Sequence, residues 1–112
     1  MICRELVIEK FVLKYREKIN KSDLDNIKIK ANNIIILLQG LLEFKILIQY
    51  TLEKTLFFTI LKNEYEIHLE YSFETDRIFY SFYKEKNCIE IGNNYLLSVI
   101  ERIYSLLYNY FK

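Results

Sequence analysis

The chain of 112 residues has no proline, two glycines, two cysteines and one histidine. Without proline, and with glycine only at Gly40 and Gly92, no flexible linker or composition break marks a second domain. A single domain over residues 1–112 is expected, a length near the usual domain size. Isolated glycines also exclude a phosphate-cradling loop, which needs several of them close together. Cys3 and Cys88 form no Cys-x-x-Cys pair and have no histidine nearby in sequence, which argues against a disulfide scaffold and against thiol chemistry. Neither sign of charge is in excess: 16 Lys and Arg meet 15 Asp and Glu, for a net charge of +1. A protein that neutralises phosphates over its whole surface needs far more positive charge, so nucleic acid is not the expected partner.

Long apolar runs are missing as well. The most apolar stretch, Ile34 to Leu52, is broken by Gln39, Glu43, Lys45 and Gln49, short of the ~18 apolar residues a spanning helix needs. Arg4, Glu5, Glu9 and Lys10 interrupt any apolar leader at the N-terminus. A reduced, cytoplasmic setting without membrane association is the expectation.

What is present is apolar and aromatic: 52% hydrophobic residues, with ten Tyr and eight Phe. Tyr, Phe, Ile, Lys and Asn share AT-rich codons, so their joint abundance is weak evidence for a sticky surface. Their spacing is more informative. Ile8, Val12, Tyr15 and Ile19 recur at helical spacing and predict a helix over Ile2 to Ile19, with Glu5 and Glu9 early and lysines late to suit the helix dipole. Ser22-Asp23-Leu24-Asp25 has a capping pattern, predicting a second helix that Gly40 would end. Beyond Gly40 the period changes to two. Alternating runs centred on Ile48, Phe58, Leu69 and Tyr80, divided by Glu53-Lys54, Lys62-Asn63 and Thr75-Asp76, predict an antiparallel meander, with Cys88 to Ile91 as a short edge strand and Gly92-Asn93-Asn94 as its end. Leu96, Val99, Ile100, Ile103 and Leu107 return to helical spacing from Tyr95 to Phe111. The fold class is therefore α+β: two N-terminal helices, an antiparallel meander of four or five strands, and a C-terminal helix packed on the sheet.

Parity divides the strands into two faces. With two-residue turns at Lys62-Asn63 and Thr75-Asp76, Phe58 would face Ile67 and Tyr71 would face Tyr80, making one face almost wholly apolar. For the first hairpin, a three-residue loop, Glu53 to Thr55, or a bulge keeps Leu52 and Leu56 on one face. The opposite face would carry Phe57, Glu66, His68, Glu70, Phe79 and Tyr83, with Phe57, His68 and Tyr83 in one cross-strand row. So many aromatics on a second face call for cover, by a helix of the same chain or by another molecule, with plain exposure of scattered apolar residues as the remaining reading.

Chemistry is thinly represented. His68 lies between Glu66 and Glu70, but alternate strand residues are about 6.6 Å apart, too far for one metal without further ligands. No catalytic residue, metal site or cofactor is expected. Lys10, Lys14, Lys18 and Lys21 would line one face of the first helix, either as a solvated face or as an alternative basic stripe for phosphates. The reading that best fits is a non-enzymatic protein that binds another protein, by analogy of size and type with immunity proteins, antitoxins and phage-encoded inhibitors of host defence. Its predicted binding face is Phe57, Glu66, His68, Glu70, Phe79 and Tyr83. A nucleic-acid module using the lysine stripe and a homodimeric structural subunit are the alternatives; the apolar C-terminal helix adds weight to self-association.

Overall fold

A computed structural model of the chain describes residues 4–38, 45–51 and 53–110. Helices α1 (Arg4–Tyr15) and α2 (Lys21–Leu37) precede strands β1 (Lys45–Tyr50), β2 (Thr55–Lys62), β3 (Tyr65–Ser72), β4 (Arg77–Lys84) and β5 (Asn87–Tyr95), and helix α3 (Leu96–Tyr110) follows. The strands lie side by side in chain order, each antiparallel to the next. This is the α+β layout that the change of period predicts, with five strands.

The first helix ends sooner than its apolar spacing suggests. The Lys18 and Ile19 N–H groups both donate to the Tyr15 carbonyl, at 2.9 and 3.1 Å, and the chain turns so that Ile19 packs against the core. Asn20, not Ser22, then caps α2. Its Oδ1 accepts from the Asp23 N–H at 2.8 Å and its Nδ2 donates to the Asp23 carboxylate at 2.8 Å, a side-chain cap placed two residues before the expected one. One consequence is that Lys10, Lys14, Lys18 and Lys21 do not share a helix face: Lys18 sits in the turn and Lys21 opens α2. The expected C-terminal glycine of α2, Gly40, lies outside the described residues, as does Leu52.

The hairpins keep the predicted faces but shift their register by two residues. Phe58 pairs with Leu69, not Ile67, because the β2–β3 turn is Asn63-Glu64, with Asn63 at φ 52°. Tyr71 pairs with Ile78, not Tyr80, because the β3–β4 loop holds four residues, Phe73 to Asp76, with Asp76 at φ 56°. Asn and Asp tolerate this left-handed backbone better than other non-glycine residues. A two-residue slip preserves parity, so the apolar face survives it. In the first hairpin the Thr51 N–H donates to the Thr55 carbonyl at 3.0 Å, so the three-residue loop is 52–54 rather than Glu53 to Thr55. The largest departure is β5. It runs nine residues through Gly92, Asn93 and Asn94, which the sequence reading takes as the end of the strands. Its turn, Glu85-Lys86, has both residues at positive φ, 51° and 68°, and carries neither Asn nor Gly to announce it.

The core lies between the helices and one face of the sheet. Leu56, Phe58, Ile60, Ile67, Leu69, Ile78 and Phe82 are fully buried there, against Phe11, Ala31, Ile34, Ile35, Val99 and Ile103. Tyrosine hydroxyls tie the layers at their margins, with the rings in apolar surroundings and the oxygens on polar partners. Tyr15 Oη of α1 accepts from the Tyr50 N–H at the end of β1, at 2.9 Å. Tyr104 of α3 donates to the Leu37 carbonyl at the end of α2, at 3.0 Å. Tyr71 donates to Asp76 in its own hairpin loop, and Lys30 of α2 lies over the Tyr71 ring. Burial and the Asp76 carboxylate together raise the Tyr71 pKa.

A further tie joins β5 to α3. Glu90 accepts from Arg102 Nε and Nη2, at 2.7 and 2.6 Å, and from the Tyr80 hydroxyl at 2.6 Å. Those hydrogen bonds, Arg102 first and Tyr80 second, hold the Glu90 pKa down to about 2. Gly92 lies close beside this cluster: a Cβ there would stand 3.0 Å from the Tyr80 ring, which would have to shift to admit it.

Two outcomes follow from this packing. Leu69→Ala is expected to cost about 2–5 kcal/mol by opening a cavity, whereas Glu70→Ala, which removes one half-buried hydrogen bond to Thr55, should cost about 1 kcal/mol; thermal melts of both variants check the assignment of faces. Because the Glu90 pKa is lowered on folding, its contribution is present above the unfolded carboxylate range and is lost as pH falls from about 4.5 toward about 2. Arg102→Ala should therefore lower Tm at neutral pH and flatten the decline of stability over that acid window, which melts at a series of pH values would record.

Candidate functional site

All three helices bury their apolar sides against the inner face of the sheet. On the outer face, Leu47, Phe79, Tyr95 and Ile91 are 46%, 54%, 57% and 60% exposed. Of the two covers considered for this face, a helix of the same chain is not among the described residues.

Alternation in β2, β3 and β4 brings the predicted residues together here. Phe57 pairs with Glu70, Glu70 with Phe79, and Glu66 with Tyr83. His68 pairs with Thr59 and Ser81, so Phe57, His68 and Tyr83 form a diagonal rather than the expected straight row. They still touch. The His68 ring lies 5.4 Å from Phe57, tilted, and 5.7 Å from Tyr83, edge to face, within the separations favoured by aromatic pairs. Phe57, His68, Glu70, Phe79, Ser81 and Tyr83 line one shallow depression of about 290 Å³. Glu66 stands at its margin, bonded to His68.

The polar groups of this face are unevenly satisfied. His68 Nε2 lies 2.5 Å from Glu66 Oε2, and Glu70 accepts from the Thr55 hydroxyl at 2.8 Å. His68 Nδ1, by contrast, is buried and meets no hydrogen-bond partner among the described residues. A buried polar nitrogen left this way costs about 1–3 kcal/mol. Carboxylate and imidazole here make one oriented pair, and among the described residues no three His, Cys, Asp or Glu side chains come together.

Strand β5 widens the face with residues that sequence reasoning missed. Ile91 pairs with Ser81, Asn93 with Phe79 and Tyr95 with Arg77. Arg77 donates to Asn93 Oδ1 at 2.6 Å and lies 4.9 Å from the Tyr95 ring, bracing the two strands. The alternation of Ile91, Asn93 and Tyr95 is present in the chain, but glycine and asparagine at the intervening positions read as turn residues. A second depression of about 290 Å³, which includes Thr55, Arg77 and Asn93, adjoins the first and shares Glu70 and Phe79 with it.

The basic stripe does not assemble into a comparable surface. Lys10 and Lys14 are exposed on α1, with Lys14 over the Tyr15 ring, while Lys18 and Lys21 follow the bend into α2. No helix of the described residues is long and apolar enough to cross a membrane. Among known proteins, no family model matches the chain, and neither a curated protein nor a solved structure matches it.

The state of His68 yields a direct test. In His68→Phe the ring contacts to Phe57 and Tyr83 are retained and the unsatisfied nitrogen is removed, at the loss of one partly exposed bond to Glu66. The variant should melt at or above the wild-type temperature. A Tm lower by several degrees would show that the imidazole stabilises the fold.

Proposed function

We propose that this chain is a small, non-enzymatic, cytoplasmic protein that binds another protein and acts by occlusion, covering a functional surface of its partner with the outer face of the sheet. The observation that carries the reading is the open aromatic face around His68, whose buried Nδ1 has no partner among the described residues. A sheet face of five strands, each about eight residues long, spans roughly 20 by 26 Å. That is about 520 Å² in projection, the small end of what one side of a protein–protein interface covers. Phe79 and Tyr83 supply the large, low-entropy side chains that interface centres favour, and Glu66 and Glu70 add acidic acceptors for a partner's cationic or hydroxyl groups. The mode of action fits the analogy with immunity proteins, antitoxins and phage-encoded inhibitors of host defence.

Binding through this face is expected to withstand raised salt, since it rests on apolar burial rather than counterion release. With the immobilised chain and nuclease-treated extract of its host, Tyr83→Ala and His68→Phe should each lower recovery of the bound protein at least tenfold while leaving the melt intact. Capture from untreated extract that is lost on nuclease treatment, disappears with modest salt and requires Lys10 and Lys14 would replace this reading with the nucleic-acid one.

A further inference from the structure

The sheet has two edges, and they are not alike. Strand β1 is short, six residues, and begins with an exposed lysine, a common guard against unwanted pairing. Strand β5 is nine residues long, has no proline, and carries one charge, Glu90, which is already held by Arg102 and Tyr80 on the inner face. A bulge at Ile89 disturbs its N-terminal end, where the pairing passes from Phe82 with Glu90 to Tyr83 with Cys88, but Glu90 to Tyr95 runs in regular register. No strand of the described residues pairs with its outer side. Within β5 the Asn93 carbonyl accepts from Arg77 and the Tyr95 N–H donates to Asn94 Oδ1, and the edge is otherwise open to another strand.

We infer that β5 pairs with β5 of a second copy of this chain, antiparallel about a two-fold axis through Ile91, to make one continuous ten-stranded sheet. The strand is self-complementary in this register. Ile91, 60% exposed, falls opposite Ile91 of the second copy, an apolar cross-strand pair. Glu90 falls opposite Gly92 of the second copy, and no like charges are set face to face. Parity keeps the helices of both copies on the same side, so the aromatic outer faces become one surface of double width. An isologous contact of this kind closes on itself and does not propagate. The inference goes beyond the occlusion reading, since β5 pairing leaves the depression around His68 open.

The intact chain should sediment or scatter light at micromolar concentration with twice its 13.7 kDa mass. Ile91→Lys should return it to a monomer, while Leu47→Lys, at the opposite edge, leaves the dimer unchanged. In a Cys3→Ser, Cys88→Ser background, Ile91→Cys should form an interchain disulfide on mild oxidation, because residues opposite each other across a strand pair meet the separation the bond requires. This second arm decides the question even where the lysine variant folds poorly. Leu47→Cys in the same background should not cross-link. A mass of 13.7 kDa without concentration dependence, or a dimer indifferent to Ile91→Lys that fails to cross-link at position 91, overturns the inference.

Discussion

Everything in this structure depends on the period-two alternation held in register across five antiparallel strands. Strict alternation puts Leu56, Phe58, Ile60, Ile67, Leu69, Ile78 and Phe82 on one side, and burying that side provides the main apolar stabilisation. The helices are then confined to the same side, since their apolar stripes have only that surface to meet. What is left over, by the same geometry, is the face of Phe57, His68, Phe79 and Tyr83. The candidate binding surface is thus the complement of the core, made from the residues between the core residues.

The tyrosines show how one residue type serves both purposes. Codon bias accounts for their number but not for where their hydroxyls go. Tyr15, Tyr71, Tyr80 and Tyr104 each place a ring in or against the core and an oxygen on a polar partner at a layer margin. Each spares the structure a buried unsatisfied hydroxyl and links elements that loops alone would hold less firmly. Tyr83 belongs to the same population but stands on the outer face, with its ring against His68. The difference lies in strand parity, because Tyr80 and Tyr83 are three residues apart on one strand.

Two features, one on the outer face and one at the sheet edge, carry the two proposals for separate reasons. The depression at His68 concentrates aromatic surface and one unsatisfied nitrogen, whereas the β5 edge offers backbone groups and a nearly uncharged strand. Side-chain chemistry defines the first and main-chain geometry the second, so variants at Tyr83 and Ile91 interrogate them independently. Should both be occupied together, the dimer would present two copies of the binding surface on one sheet, and a divalent partner would gain from effective concentration as well as from contact.

The sequence by itself determined the element types, their order and which residues share a face, because hydrophobic periodicity is a local property and survives a two-residue slip in register. It also brought Phe57, Glu66, His68, Glu70, Phe79 and Tyr83 onto one face. Tertiary structure alone decided the rest. The turns at Asn63-Glu64 and Glu85-Lys86 were hidden because left-handed backbone is imposed there by the strands on either side, not invited by glycine. Strand β5 was hidden because pairing with β4 overrides the turn preference of Gly92, Asn93 and Asn94. Whether a helix of the chain also covers the outer face, and whether His68 Nδ1 finds a partner, depend on contacts between segments distant in the chain, and no local pattern encodes them.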